Sequence, residues 1–337
     1  MRIIKFLKEW TLPCAITLGT TVYLIFRLVP ALDEAGNVMG PVLDQVLPIM
    51  IFLTLFVTFC KVDFQQMRLH RWHGGVMLAQ LVLVALTLWI AYLMRENPEK
   101  KLLAEAVLTC VIAPTAAAAP VVSGKLGGNI STMTTLTLVS SLLAALMIPA
   151  AFPLLEKAAQ VTFWDAFWII LNKMVTVLVL PLLLGWLVRH WLPKLHQWIV
   201  AQPNLGFYTW GCALSITTGI TVKNICNSTV SVWVLLLIAL ASLLICCLQF
   251  GIGRGVGRVL GEKINAGQGM FQKNTGLAIW VAYMYLSPVA SIGAGCYVLW
   301  QNIINSIEIW VHEHALSSSD EQPQGQPSLC ADEKLQD

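Results

Sequence analysis

The sequence predicts an all-α polytopic membrane protein with ten transmembrane helices. They form two inverted five-helix repeats, in which helices 4 and 9 are discontinuous. Hydrophobic residues make up 57% of the 337 residues and charged residues only 12%, with a mean hydropathy of +0.72. A soluble chain of this length cannot hide so much apolar surface. Apolar stretches of near-spanning length recur along the chain, and the fourth in each half is interrupted by proline or glycine.

The first apolar stretch follows a basic segment, Met1 to Trp10, which resembles a secretory signal. Its apolar run is long for a signal and more stretches follow, so a retained helix is predicted. Five stretches per half, an odd number, make the second half enter the membrane from the opposite side, which defines an inverted repeat. The predicted spans are residues 11–30, 40–60, 73–94, 102–124, 129–154, 163–192, 205–225, 229–253, 267–287 and 288–312.

Lysine and arginine concentrate on the side of the membrane that holds both termini. The positive-inside rule therefore predicts a multi-pass protein of the cell (inner) membrane with both termini in the cytoplasm. The cluster Arg95, Lys100 and Lys101 opposes this trend, and Arg27, Lys173 and Lys273 fall near or inside the apolar layer. Residues 315–337 are polar and aperiodic, which is typical of a disordered cytoplasmic tail.

The two interruptions are Pro114 to Pro120 and Gly267 to Gly276. Hydrocarbon offers no water to backbone groups, so a spanning helix breaks only where protein or a wet cavity receives them. Proline favours a break, and glycine permits unwinding and close backbone approach. The second half of each broken helix presents unpaired N–H groups and partial positive charge, so two such ends facing one cavity predict an anion site.

Each interruption also has a simpler interpretation. Pro114 and Pro120 would then only kink a packed helix, and Lys273 would flank a helix that begins at Asn274 and extend its ammonium to the interface. The occurrence of both interruptions at corresponding places favours a pair of broken helices.

These residues resemble the bile acid:sodium symporter family. The ninth span of that family reads Glu-x-Gly-x-Gln-Asn-Ser-Gly-Leu-Ala, and its end is similar to Lys273-Asn-Thr-Gly-Leu-Ala278. The fourth span there reads Pro-Gly-Gly-x-x-Ser-Asn, where this chain has Pro114 to Pro120, followed by Gly128-Asn129. Gln80 resembles a glutamine of the third span. The resemblance reaches from residue 1 to about residue 312 and indicates a divergent, bacterial-type member.

The resemblance implies a transporter with two domains that move against each other, giving alternating access to a substrate held between them. Helices 4 and 9 would cross in the core domain. The implied division is residues 1–60 and 163–225 for the panel domain, 73–154 and 229–312 for the core domain, and 315–337 for the tail.

The sodium ligands of the family are where this chain departs from it. Ala119 and Pro120 replace the Ser-Asn pair, and Gly269 replaces the glutamate. Met133 replaces a serine, Lys273 replaces a glutamine, and Thr137 keeps a hydroxyl. Sodium needs several oxygen ligands, and in a low-dielectric site a nearby carboxylate. Sodium binding is therefore not expected.

Lys273 is instead predicted to substitute for the ion, its ammonium donating to oxygens near Gln80 and to span-nine carbonyls. Transport would then be independent of sodium. Two alternatives stay open: Lys273 loses its proton during the cycle, as intramembrane ionisable groups often do, or it is a static structural cation.

The substrate is predicted to be a small or amphipathic organic anion. Lys173 would attract it from the panel side or else extend to the interface, and Asn274 and Thr275 would contact it or else cap a helix. The candidate substrate-binding residues are Thr115, Ala117, Lys173, Asn274, Thr275 and Gly276. The candidate ion-site or coupling residues are Gln80, Ala119, Pro120, Met133, Thr137, Gly269, Gln272 and Lys273.

Further polar residues were considered along the later spans. Ser215, Thr217 and Thr218 line the cavity or make helix contacts. Asn302, Asn305 and Glu308 are interpreted as the interfacial end of the last span.

Other functions have weaker support. An arsenite effluxer of the same fold carries a cysteine beside the proline of its broken span, whereas Cys110 lies four residues before Pro114. A membrane sensor that binds the ligand without moving it is a second alternative. An enzyme is not expected, because no span carries two deep carboxylates or a His-zinc set. The expected partners are the organic anion and the lipid bilayer, with no nucleic acid, metal or other cofactor; the oligomeric state is open.

Overall fold

The computed structural model describes residues 10–152, 155, 162–287 and 289–320. Within these ranges all regular secondary structure is helical apart from one isolated β-bridge, which confirms the all-α expectation. The α-helices are α1 Thr11–Leu28, α2 Asp33–Phe59, α3 Arg71–Leu93, α4 Pro98–Ile112, α5 Ala119–Lys125, α6 Ile130–Ala151, α7 Phe163–Met174, α8 Leu180–Trp191, α9 Pro193–Val200, α10 Leu205–Cys226, α11 Val232–Leu260, α12 Lys263–Phe271, α13 Thr275–Tyr285 and α14 Ser291–Asp320.

Several of these helices are long and apolar enough to cross a membrane. Five of them qualify by length and composition, namely α1, α2, α3, α6 and α11. A sixth span is possible where a helix from Val175 to Trp191, which includes a π-helical turn, is followed after a 117° bend by α9. The chain is therefore a multi-pass membrane protein, while the ten spans and the inverted repeat stay predictions.

Both predicted interruptions are breaks in the described helices. The first separates α4 from α5, and Pro120 stands in the first turn of α5, where its missing N–H costs no hydrogen bond. The second break is shorter, because α12 ends at Phe271 and α13 begins at Thr275.

Of the two roles predicted for the glycines of the second interruption, unwinding and close approach, the unwinding is wrong. Gly267 and Gly269 lie inside α12, and Gly276 lies inside α13. The first two allow close packing instead, since a β-carbon on Gly267 would meet the side chain of Arg254 and one on Gly269 would meet Leu136. Glycine serves contact between helices here, and the break comes after both residues.

The helices pack in two groups. In one group α10 packs against α1 and α2, and α2 packs against α8. The α1–α10 contact is so close that a β-carbon on Gly19 would overlap the backbone of Ser215. In the other group α11 packs against α12, α14 and α4, and α4 against α3. Helix α14 also contacts α1 and α10, so it joins the two groups.

The chain ends only partly match the sequence prediction. Helix α14 continues to Asp320, so residues 315–320, predicted to belong to a disordered tail, are helical. The rest of that tail and the basic residues of segment 1–9 lie outside the described residues.

Candidate functional site at the helix crossing

The two breaks meet and pair with each other through their backbones. Thr115 and Lys273 form an isolated antiparallel bridge. The amide of Ala116 donates to the carbonyl of Gln272 at 2.7 Å, and the amide of Asn274 donates to the carbonyl of Pro114 at 2.9 Å. Each break thus supplies the partners that the other needs, which is how backbone freed from a helix is satisfied inside a membrane.

Thr115 ties the first break to its neighbours with its backbone and its side chain. Its amide donates to Ser140 Oγ on α6 at 3.1 Å, and its own hydroxyl donates to the carbonyl of Gly269 on α12 at 2.8 Å. The other candidates of this break, Ala117 and Ala119, are buried. Their methyl groups provide no ligand atom, so Thr115 is the residue of the three with polar side-chain chemistry.

The carbonyl ends of both first half-helices are held by buried side chains. Gln80 Nε2 donates to the carbonyl of Ala113 at 3.0 Å, and Gln249 Nε2 lies 3.4 Å from the carbonyl of Cys110. Tyr297 accepts from Gln249 Nε2 at 2.9 Å and donates to the carbonyl of Phe271 at 2.6 Å. The ends of α4 and α12 therefore bring partial negative charge to the crossing.

Lys273 is buried at this crossing, with 1% of its surface exposed. Gln301 holds its backbone on both sides, accepting from its amide at 2.9 Å and donating to its carbonyl at 3.4 Å. Its Nζ atom has no hydrogen-bond partner among the described residues. The hydrogen bond to Gln80 suggested by the sequence is not formed, and Gln80 Oε1 and Gln249 Oε1 are likewise buried without a partner within the described ranges.

A second group of polar side chains lies between α12 and α14, and we call it the polar seam. It consists of the buried Gln268, Gln272 and Asn305 and the partly buried Glu308 and, from α11, Arg254. Gln272 Nε2 donates to Gln268 Oε1 and, at 3.2 Å, to Asn305 Oδ1. Gln268 Nε2 donates to Glu308 at 2.6 Å, and the other carboxylate oxygen pairs with Arg254. The seam ends in this ion pair.

The seam was not predicted from the sequence. Asn305 was assigned to an interfacial end, yet it is completely buried. The signal was present in the spacing, because Gln268 and Gln272 are four residues apart, as are Gln301 and Asn305, with Glu308 three further on. Residues at these spacings share one face of a helix, so two polar faces were available to pair.

The residues that the resemblance aligns with sodium ligands have surroundings that do not suit the ion. Gly269 faces Leu136 and, at 3.7 Å from an added β-carbon, the sulfur of Met133. The Thr137 hydroxyl donates to the carbonyl of Met133 in its own helix at 3.0 Å. Aliphatic carbon and a thioether are poor neighbours for a hard cation that prefers oxygen. The described residues also hold no group of three His, Cys, Asp or Glu side chains suited to a metal ion.

The remaining substrate candidates follow the second break. Asn274 caps α13, its Oδ1 accepting from the amide of Leu277 at 3.1 Å. Thr275 is buried and its amide donates to the carbonyl of Lys273 at 2.9 Å, whereas Gly276 is exposed. These three therefore lie beside Lys273 and Thr115. Lys173 lies on α7, far along the chain, and its side chain is outside the description.

A multi-pass helical protein with two broken helices crossing through paired backbones has the architecture of a secondary transporter. Comparison with known families agrees: the model of the Sodium Bile acid symporter family matches residues 48–248, more than half of the chain. The chain belongs to this family, whose members are transporters. The match includes the first break and stops before the second. A search of curated proteins finds none that matches.

Proposed function

We propose that this protein is a secondary transporter that carries an organic anion by alternating access, without coupling to sodium. The observation that carries the proposal is the crossing itself. A buried lysine stands in one of two helix breaks that pair with each other, in a member of a sodium symporter family. The resemblance aligns Ala119, Met133 and Gly269 with sodium ligands of that family, and none of the three has an oxygen in its side chain.

The electrostatics of the crossing support an anionic substrate. The start of α13 brings the partial positive charge of a helix N-terminus to the second break. Lys273 adds a full charge when it is protonated, and Asn274 and Thr275 add polar groups beside it. A carboxylate or sulfonate beside the break would interact favourably with all of these groups.

The packing supports movement of one helix group against the other. We assign the group around α10 to the panel domain and the group around α11 to the core domain that contains the crossing. Substrate would bind between them, where α10 faces α14. The distribution of lysine and arginine favours cytoplasmic termini in the inner membrane.

The test is counterflow in proteoliposomes with two labelled probes, taurocholate and pyruvate, in sodium or choline buffer. We expect at least one probe to exchange at equal rates in both buffers. Thr275→Val should weaken the apparent affinity, while Thr87→Val should not, because the Thr87 hydroxyl bonds only to carbonyls of its own helix, at 2.9 and 3.0 Å. Exchange that stops in choline would contradict the sodium independence.

Two other outcomes correspond to the alternative functions. Saturable binding of a probe without counterflow would indicate a sensor. An arsenite effluxer would need Cys110, whose thiol donates to the carbonyl of Ala106 at 3.2 Å within its own helix. Loss of arsenite resistance in Cys110→Ala would therefore overturn the organic-anion assignment.

A further inference from the structure

Lys273 has a buried amine for which the described residues provide neither a hydrogen-bond acceptor nor a carboxylate. We propose that Lys273 is the proton-coupling group of the transport cycle, taking up one proton when the substrate anion binds beside it and releasing both on the other side. This inference rests on the proposed function and specifies what drives it.

Holding the charged form of Lys273 inside the protein without a partner costs free energy. An isolated ammonium inside a protein costs several kcal/mol even after relaxation. The carbonyl ends of α4 and α12 offset part of this, at about 0.3–1 kcal/mol each and up to about 2 kcal/mol in favourable geometry. The penalty exceeds the offset, so the charged form of Lys273 needs a further negative charge.

Other charged groups of the described chain do not supply that charge. Helices α3 and α6 contain no acidic residue, and α11 contributes only Arg254 and Arg258. On α4, Glu105 pairs with Lys101 at 3.7 Å, and Glu99 is exposed in the first turn. On α14, Glu308 pairs with Arg254, and Glu313 lies twelve residues, about 18 Å along the helix, beyond the Gln301 that contacts Lys273. Within the described ranges, no hydrogen bond joins an acidic side chain to the Lys273 amine.

The second break is where a counter-ion from outside would arrive. Asn274 and Thr275 directly follow Lys273, and Gly276 is exposed, so the chain reaches the surface within three residues of the buried amine. An anion at the start of α13 would be attracted by both the helix end and the ammonium. Proton and anion would then stabilise each other at the site.

The proton balance of the cycle is simple. The neutral amine of Lys273 binds a proton to form an ammonium, and the substrate contributes one negative charge. After the change of access the anion leaves and the ammonium returns its proton to the solvent on that side. One proton and one monovalent anion cross together, so no net charge is moved.

The experiment uses the full-length protein in sodium-free liposomes with trapped pyranine, a pH-sensitive dye, and with the membrane potential clamped by valinomycin and potassium. Taurocholate is the first probe because its sulfonate carries no proton of its own; pyruvate is the second. An outside-acid gradient of about one pH unit should drive about tenfold accumulation at one proton per anion, and uptake should acidify the lumen.

The matched variants are Lys273→Met and Lys263→Met. Lys263 is an exposed lysine at the start of α12, so its loss should leave accumulation unchanged. Lys273→Met should no longer accumulate either probe, and any exchange that remains should need a higher probe concentration and should not respond to pH. If Lys273→Met does not fold, Lys273→Arg takes its place, because a guanidinium keeps its proton and should not accumulate the probe.

The contrary results are distinct. Exchange by the unmodified protein without accumulation or proton movement would overturn proton coupling and leave the proposed function standing. Accumulation by Lys273→Met equal to that of the unmodified protein would overturn the role of this residue. Absence of exchange with both probes would overturn the proposed function and this inference with it.

Discussion

Arg254 and Lys273 are two basic side chains in neighbouring parts of the chain, and their surroundings are opposite. Arg254 pairs with Glu308, lies 5.0 Å from the centre of the Phe250 ring, and keeps 17% of its side chain exposed. Lys273 is 1% exposed and its amine has no partner among the described residues. A cation with a built-in partner stabilises a fold, whereas one without a partner has to obtain it during function.

The largest expected effect is the loss of stability when Arg254 loses its partner Glu308. Glu308→Ala leaves Arg254 unpaired and Gln268 without its acceptor, so the free energy of unfolding should fall by about 3 kcal/mol. Unfolding in mixed micelles measures it. Glu96→Ala is the control, because Glu96 and its partner Arg95 are both exposed and such pairs contribute little. Equal losses in the two variants would mean that the seam is not a stabilising network.

The two cations should respond oppositely to the same substitution. Lys273→Met removes an amine without a partner and keeps the aliphatic volume, so the free energy of unfolding should rise by about 2 kcal/mol. Arg254→Met should lower it, because Glu308 is left alone. Thermal denaturation of both variants at neutral pH gives the comparison. A loss of stability in Lys273→Met would show that the ammonium is compensated after all.

A third prediction compares two helical glycines on either side of the second break. Gly269→Ala would push against Leu136 and should cost about 1–2 kcal/mol. Gly276→Ala has only Asn274 Oδ1 within reach, at 3.8 Å, and should gain about 0.5–1 kcal/mol from helix propensity. Opposite shifts in melting temperature are expected. Equal shifts would show that α12 and α6 are not closely packed at Gly269.

The smallest effect concerns the bond that joins the first break to α12. Thr115→Val removes the hydrogen bond to the carbonyl of Gly269 and should cost about 0.6–1 kcal/mol. Thr137→Val is the matched control, since its hydroxyl bonds within its own helix. A loss in Thr115→Val of several kcal/mol would indicate that the backbone bridge depends on this side chain.

The sequence predicted those features of the fold that depend on local chemistry. Pro114 and Pro120 predicted the first break because proline lacks a backbone N–H and its ring clashes with the preceding turn, although Pro48 and Pro149 are accommodated inside α2 and α6. The pairing of Thr115 with Lys273 was not predictable, since it depends on two distant segments meeting. The glycines were misinterpreted for a related reason: permissive backbone and close packing leave the same mark in a sequence.

The candidate site was predictable residue by residue, but its connections were not. Lys273 was identified, and the structure adds that no side chain of the described residues reaches its amine. Glu308 was interpreted as an interfacial residue because it lies near the end of a predicted span. Its role in the seam became visible only when α11, α12 and α14 were placed side by side.

The bridge between Thr115 and Lys273 uses main-chain atoms alone. Such bonds do not depend on which side chains flank them, so mutation can replace the residues around the crossing one at a time without dismantling it. Related proteins can therefore differ in the ion or proton that drives transport and still keep the same crossed helices.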